Sequence, residues 1–214
     1  TQGVTFAKGF TAAGVKAGIK KSGNLDVAVI YTKTQAVVAG TFTQNKVAAA
    51  PVYVSKEVVA TGTAHAIVAN AGCANACTGQ QGLDDAHKMA QIAADELGVN
   101  ADDVIVGSTG VIGVNLPMDK LEAGIKDAVA NLSADGSGNA GRAIITTDTH
   151  SKSVTCEFEL SGKTVRMGAI AKGSGMIRPN MATMLCYITT DIAIDQALLQ
   201  KAVSGCVEKS FNMI

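Results

Sequence analysis

The chain predicts an α+β layered sandwich, and three observations carry that expectation. Short runs of β-branched and apolar residues are interleaved with two stretches of helical spacing. Several of those runs are joined by turns short enough for hairpins. Of the 214 residues, 47% are apolar against 17% charged, enough for a real core in one large domain or two small ones. Aromatics are only 4% and tryptophan is absent, so the core must be Ala, Val, Ile, Leu and Met. The 23 glycines imply tight turns and close backbone approaches.

Taken in order, Asp26-Val27-Ala28-Val29-Ile30-Tyr31 and Ala36 to Thr43 read as two strands, with the polar Thr32-Lys33-Thr34-Gln35 as a hairpin turn. Ala64 to Ala69 is a third strand, emptying into the small-residue loop Asn70 to Gly79. Leu83, Ala86, Ala90, Ala93 and Leu97 recur at helical spacing, with Asp84 and Asp85 in the first turn and Gly98 as the stop. Val104-Ile105-Val106 is a strand before the turn Gly107-Ser108-Thr109-Gly110. Pro117 opens a second helix, where its missing N–H costs nothing, and Leu121, Ile125, Ala128 and Leu132 form its apolar face. Ser133 to Gly141 reads as a loop and Ala143 to Thr146 as strand-like. Val154 to Leu160 alternates strictly and turns at Ser161-Gly162-Lys163 into Thr164 to Ile170, a hairpin. Met184 to Thr189 is a last strand, and Asp195 caps a helix running through Asn212. Phe211-Asn212-Met213-Ile214 bears no sign of a natural end, so the complete gene product is expected to continue.

Formal net charge is zero, with 18 acidic and 18 basic residues and no long run of either sign. Nucleic-acid binders usually carry a basic patch or stripe, so that class is set aside. No apolar stretch approaches the roughly 20 residues of a membrane span. The opening Thr1-Gln2-Gly3-Val4-Thr5 lacks the charged-then-apolar pattern of a secretory leader. Five scattered cysteines read as reduced thiols in a cytoplasmic protein.

The segment from Lys172 to Leu185 holds the most chemistry. A polar, glycine-bearing loop runs through Arg178-Pro179-Asn180-Met181-Ala182 into Thr183 and an apolar strand. A threonine hydroxyl is a weak nucleophile unless a base lies beside it; cutting the chain before Thr183 would free its own α-amino group for that task. The plain alternative is a strand threonine. Gly107-Ser108-Thr109-Gly110 suits either an ordinary turn or an oxyanion hole of converging N–H groups. Ser108 lacks the G-x-S-x-G elbow. Lys172-Gly173-Ser174-Gly175 fails both phosphate-loop patterns, which leaves Lys172 as either an anion contact or a solvated lysine. Cys73 and Cys77, with His65, His87 and His150 at no ligand spacing, do not amount to a metal site.

Taken together, several segments resemble one family: ornithine acetyltransferase, the bifunctional glutamate N-acetyltransferase of arginine biosynthesis. They are Gly3-Val4 with Lys8-Gly9-Phe10, Asn70 to Gly79, Gly107 to Gly113, Ile145-Thr146-Thr147-Asp148-Thr149, and Lys172 to Ile177 with Pro179 to Leu185. They run in family order along the chain. The resemblance implies an N-terminal-nucleophile-like sandwich of different connectivity. It implies self-cleavage between Ala182 and Thr183, which makes 1–182 a first subunit and 183–214 the start of a second whose remainder is absent. Thr183 would take the acetyl group from N2-acetylornithine and pass it to glutamate. Thr109 and Gly110 match the oxyanion-stabilising pair, and Thr146, Lys172 and Thr183 match substrate-binding positions. No metal or resident cofactor is implied; some members also take the acetyl group from acetyl-CoA, as a substrate. The family usually assembles from two copies of each subunit. Two other readings stand beside this one. The first is a self-processing aminopeptidase or amidase of the same fold that discharges its acyl-enzyme to water. The second is a non-catalytic homologue.

Overall fold

The computed structural model describes residues 3–177 and 183–214. Two sheets carry the architecture. The first contains β1 (Phe10–Val15), β2 (Val27–Val37), β3 (Thr63–Cys73) and β4 (Val104–Val111) in that spatial order. Its first two pairings are antiparallel and the β3–β4 pairing is parallel. The second is an antiparallel meander of β5 (Lys152–Leu160), β6 (Lys163–Lys172) and β7 (Leu185–Thr190). The helices are α1 (Ala50–Thr61), α2 (Gly79–Leu97), α3 (Met118–Ala130), α4 (Ser137–Ile144) and α5 (Gln196–Glu208).

Strand alternation sorts the first sheet's side chains into two cores. Ala13, Val15, Val27, Val29, Ala66, Val68, Val104 and Val106 pack with Met89, Ala93, Leu121 and Ile125 of α2 and α3. The opposite face sends Ala12, Ala28, Ile30 and Ala69 against Ala140, Ala143 and Ile144 of α4 and Ile170 of β6. The result is a layered α+β sandwich: helices, first sheet, then α4 with the second sheet.

Several expected elements are present. The β5–β6 hairpin turns at Ser161 and Gly162, both with positive φ, as a two-residue turn between twisted strands requires. Gly98 ends α2 in the left-handed conformation. Pro117 is the N-cap of α3, and Asp195 caps α5 by accepting from the Ala197 and Leu198 amides. That helix stops at Glu208, and a short 3-10 turn follows at Phe211–Met213.

Other expectations are corrected. The two strands drawn over 26–43 are one, β2; Thr32 to Gln35 are no hairpin turn but a register shift in its pairing with β3, where Tyr31 meets Ala66 and Ala36 meets Ala64. Asp84 and Asp85 lie beyond the first turn of α2, which starts at Gly79. Residues 137–144, read as loop and strand, form α4. Helix α1 and strand β1 lie in segments for which the sequence reading offered no element.

Asp26 builds the turn between β1 and β2. Its carboxylate is fully buried and accepts from the amides of Ala17 (2.6 Å), Ile19 (2.6 Å) and Lys20 (2.9 Å). Replacing it with alanine strands three donors, so D26A in the full-length protein is expected to lose about 3 kcal/mol or more. D26N, which keeps one acceptor oxygen, should lose less. Denaturant midpoints check the order, and equal losses would contradict it.

Candidate active site

The end of β4 is where sequence most directly shapes the site. Gly107-Ser108-Thr109-Gly110 is not a turn after the strand but its last stretch, paired in parallel with Ala69 to Gly72. There the ladder shifts register, and Cys73 pairs with both Thr109 and Val111. Such irregularities re-aim side chains and often adjoin functional sites. Gly110 has φ +139°, and a Cβ on it would lie 2.3 Å from the Gly72 carbonyl carbon, so only glycine fits. Asn70, fully buried, ties the two strands: it accepts from Ser108 Oγ at 2.6 Å and donates to the Cys73 carbonyl at 3.0 Å.

Thr109 shares the parity of Ile105 and Gly107, the face turned toward the second sheet. On β6, Lys172 shares the parity of Ile170, which belongs to the inter-sheet core. The two therefore meet across the sandwich, and Lys172 Nζ donates to Thr109 Oγ1 at 3.0 Å in a buried contact. Because the threonine oxygen accepts from an ammonium, its own O–H is free to donate elsewhere, and the neighbouring cation makes it a better donor. Burial pushes the Lys172 pKa down; the charge of Asp148 opposes that, and Lys152 reinforces it.

Asp148 lies in the α4–β5 connection. Its Oδ1 accepts from the Gly173 amide at 2.9 Å and from Lys152 Nζ. Burial disfavours its charge, but these donors outweigh it and hold the carboxyl below the usual range. The sequence reading quoted Asp148 within a motif but gave it no role; its signal was proximity to Thr146 alone. Asn70 was likewise quoted and passed over.

Thr146 is exposed. Thr183 is exposed too, with φ 62°. That is an outlier conformation for a β-branched residue. Thr109, Gly110, Thr146, Lys172 and Thr183 all line one open cavity of about 1480 Å³, which also extends along α1, α5 and the segment 36–49. The sequence-predicted residues are thus gathered on one surface, apart from Ala182, which lies outside the described residues along with the rest of 178–182. Among the described residues, no three His, Cys, Asp or Glu side chains converge as a metal site would need. Cys73 is buried and points its thiol at the Val114 carbonyl, while Cys77 is exposed. None of the described helices is long and apolar enough to cross a membrane.

Tyr187 on β7 lines the same cavity, and its hydroxyl lies 2.1 Å from where a Cβ on Gly107 would sit. The small residue there makes room for the ring. Burial raises the phenol pKa, so the group is a neutral O–H, and it has no hydrogen-bond partner among the described residues. Removing a buried unsatisfied hydroxyl removes its desolvation cost, so Y187F is expected to be at least as stable as wild type, by up to about 1 kcal/mol. Thermal melting of the full-length protein checks this, and a clear loss of stability would reveal a partner.

The ArgJ family profile matches residues 11–214. The chain belongs to the ArgJ family. It is 50% identical over 214 residues to the arginine biosynthesis bifunctional protein ArgJ of Symbiobacterium thermophilum, covering 99% of this chain and 53% of that protein. The chain thus spans about half the length of the curated relatives it matches. The crystal structure of ornithine acetyltransferase complexed with ornithine from Mycobacterium tuberculosis superposes with a TM-score of 0.76 at 40% identity, covering 86% of this chain and 96% of that one. The likeness to the L-aminopeptidase D-Ala-esterase/amidase of Ochrobactrum anthropi is one of fold alone: TM-score 0.59 at 14% identity, over 96% of this chain and 67% of that one. That protein shows a variant of the Ntn hydrolase fold.

Proposed function

We propose that the protein to which this chain belongs transfers an acetyl group from N2-acetylornithine to glutamate through an acetyl-threonine enzyme. The observation that carries this is the buried hydrogen bond from Lys172 to Thr109 across the two sheets, with Gly110 and Thr183 lining the same open cavity. Residues 1–182 form the first subunit and 183–214 begin the second. The bond between Ala182 and Thr183 is cut by attack of the Thr183 hydroxyl, and the left-handed backbone at Thr183 fits a bond held under strain.

Once freed, the Thr183 amino group takes the hydroxyl proton as Thr183 Oγ1 attacks the acetyl carbonyl. Negative charge gathers on the carbonyl oxygen, where the Thr109 hydroxyl and the Gly110 region supply hydrogen-bond donors. Collapse breaks the amide C–N bond, and the proton returns to the departing ornithine amine. Glutamate's amine then attacks the acetyl ester, and the same groups act in reverse. Thr146 and the Lys172 cation bind the substrate, with the α-carboxylate paired to Lys172. No resident cofactor is called for, and acetyl-CoA enters, where it is used, as an alternative donor. We place the enzyme in the cytoplasm, in keeping with five free cysteines, as an assembly of two copies of each subunit.

The full-length protein, incubated with N2-acetylornithine and glutamate, is expected to yield ornithine and N-acetylglutamate. Release of free acetate with no acetylglutamate would instead indicate a hydrolase of the aminopeptidase kind. No turnover of either sort, with an uncut chain, would point to a non-catalytic homologue.

A further inference from the structure

We propose that Asp148 is a positioning residue of this site: its carboxylate fixes the corner at Lys172 and Gly173 and supplies the counter-charge to the buried Lys172 ammonium. The proposal rests on the acyl-transfer reading of the cavity and adds to it a residue that touches neither substrate nor nucleophile.

The geometry is specific. The Asp148 side chain is fully buried, yet it does not line the cavity; it sits behind the wall that Thr146, Thr147 and Lys172 form. One oxygen, Oδ1, accepts both the Gly173 amide and Lys152 Nζ, while Oδ2 is buried with no partner among the described residues. Gly173 directly follows Lys172, at the point where β6 ends and the loop toward Thr183 begins. A carboxylate bonded to that amide sets the direction in which the chain leaves Lys172. It also ties the loop to the segment carrying Thr146, whose backbone amide supports the Asp148 charge as well. Lys172 in turn donates to Thr109, so the corner that Asp148 fixes carries the cation that meets the substrate carboxylate.

The charged groups that act on Lys172 are few. Asp148 acts on it from the α4–β5 connection, beyond ion-pair contact and itself paired with Lys152, and Lys152 acts on it from β5; β4 contributes the neutral Thr109, and β7 pairs Leu185 beside it. Burial works against the Lys172 ammonium, and Lys152 works against it too. Asp148 is the opposing charge. Replacing it by asparagine keeps an oxygen for the Gly173 amide but removes the charge. The sign follows: with less negative charge nearby, Lys172 loses its proton at lower pH.

The test uses the processed full-length protein, wild type and D148N. KM for N2-acetylornithine at mildly alkaline pH is expected to rise about tenfold, the factor for one charge-assisted contact weakened by roughly 1.4 kcal/mol, with kcat changed far less. Competitive labelling of Lys172 with acetic anhydride, read by mass spectrometry across pH, should show its curve moved to lower pH. That readout separates Lys172 from the Thr183 amine and needs no turnover. Wild-type protein without acetyl exchange would sink the functional reading while the labelling still reports on Asp148. Superimposable labelling curves, or a kcat loss with unchanged KM, would overturn the proposal. Should D148N fail to accumulate, K152A takes its place: Lys152 is partly exposed, and removing its cation should move the Lys172 curve to higher pH. No movement, or movement the other way, overturns the proposal equally.

Discussion

Replacing Thr183 by alanine in the full-length protein is expected to leave one uncut polypeptide and to abolish acetyl transfer. The methyl side chain offers no oxygen to attack the preceding carbonyl, so the chain break cannot begin. Without the break there is neither a free amino group to act as base nor a hydroxyl to carry the acetyl group. Both losses stem from one atom, which is why the effect should be the largest of any single change. A fall in turnover on the order of 10⁵-fold or more is expected, as when other enzymes lose their nucleophile. Thr183→Ser keeps the oxygen and drops the methyl. Serine bears the left-handed φ of 62° with less strain than a β-branched residue, so less strain would be released by cleavage. T183S should therefore still cut, more slowly, and retain measurable transfer. Denaturing gels and intact masses report the cut, and amino-acid analysis reports the transfer. A cleanly cut T183A protein would show that another residue or a separate protease does the work, and transfer by T183A would remove Thr183 from the mechanism.

What the sequence revealed, and what it hid, follows from how each element is stabilised. The β5–β6 hairpin was legible because its strands alternate and its turn residues can take positive φ; both signals are local. Helix α2 was legible because one face is apolar at helical spacing and the other is wet. Helix α4 was not, because Ser137-Gly138-Asn139-Ala140-Gly141-Arg142-Ala143-Ile144 is only eight residues long and its Ser, Asn and glycines read as loop, although Ala140, Ala143 and Ile144 share its buried face. It is held by being wedged between the sheets, with Gly14 and Gly136 letting its backbone come close to β1. Thr32 to Gln35 imitated a turn because they are polar. They are polar because β2 shifts register there, leaving Lys33, Thr34 and Gln35 exposed. The same confusion affected Gly107 to Gly110. Their small size suits a turn, but it reflects crowding at a strand end, where the Tyr187 hydroxyl and the Gly72 backbone leave no room for larger side chains. Thr109 and Lys172 could be named as candidates from motifs, yet their contact joins residues 63 apart in sequence and on different sheets. No local pattern encodes such a pairing. Asp148 was hidden for the same reason, since its role depends on Gly173 and Lys172 folding back over it.

That pairing gives Thr109→Ala a second large and more diagnostic outcome. In the full-length protein, kcat for acetyl transfer is expected to fall about 100- to 1,000-fold, the usual cost of removing one donor from an oxyanion site. Alanine also takes away the only side-chain acceptor given to Lys172 Nζ among the described residues, in a place where burial already disfavours the ammonium. The lysine should then deprotonate more readily, so donor binding should weaken further as pH rises. T109A thus combines a loss in kcat at every pH with a rise in KM confined to the alkaline side. Thr109→Ser restores the oxygen at the same position and should recover most of both. Gly110→Ala is the less informative change, because its Cβ would collide with the Gly72 backbone and distort the strand end whatever the chemistry. Steady-state kinetics of T109A and T109S across pH separate the possibilities. If T109A turns over within about threefold of wild type, the hydroxyl does not face the developing charge. If T109S is as impaired as T109A, the residue acts through its methyl and its packing, and the hydrogen bond from Lys172 serves the fold rather than the reaction.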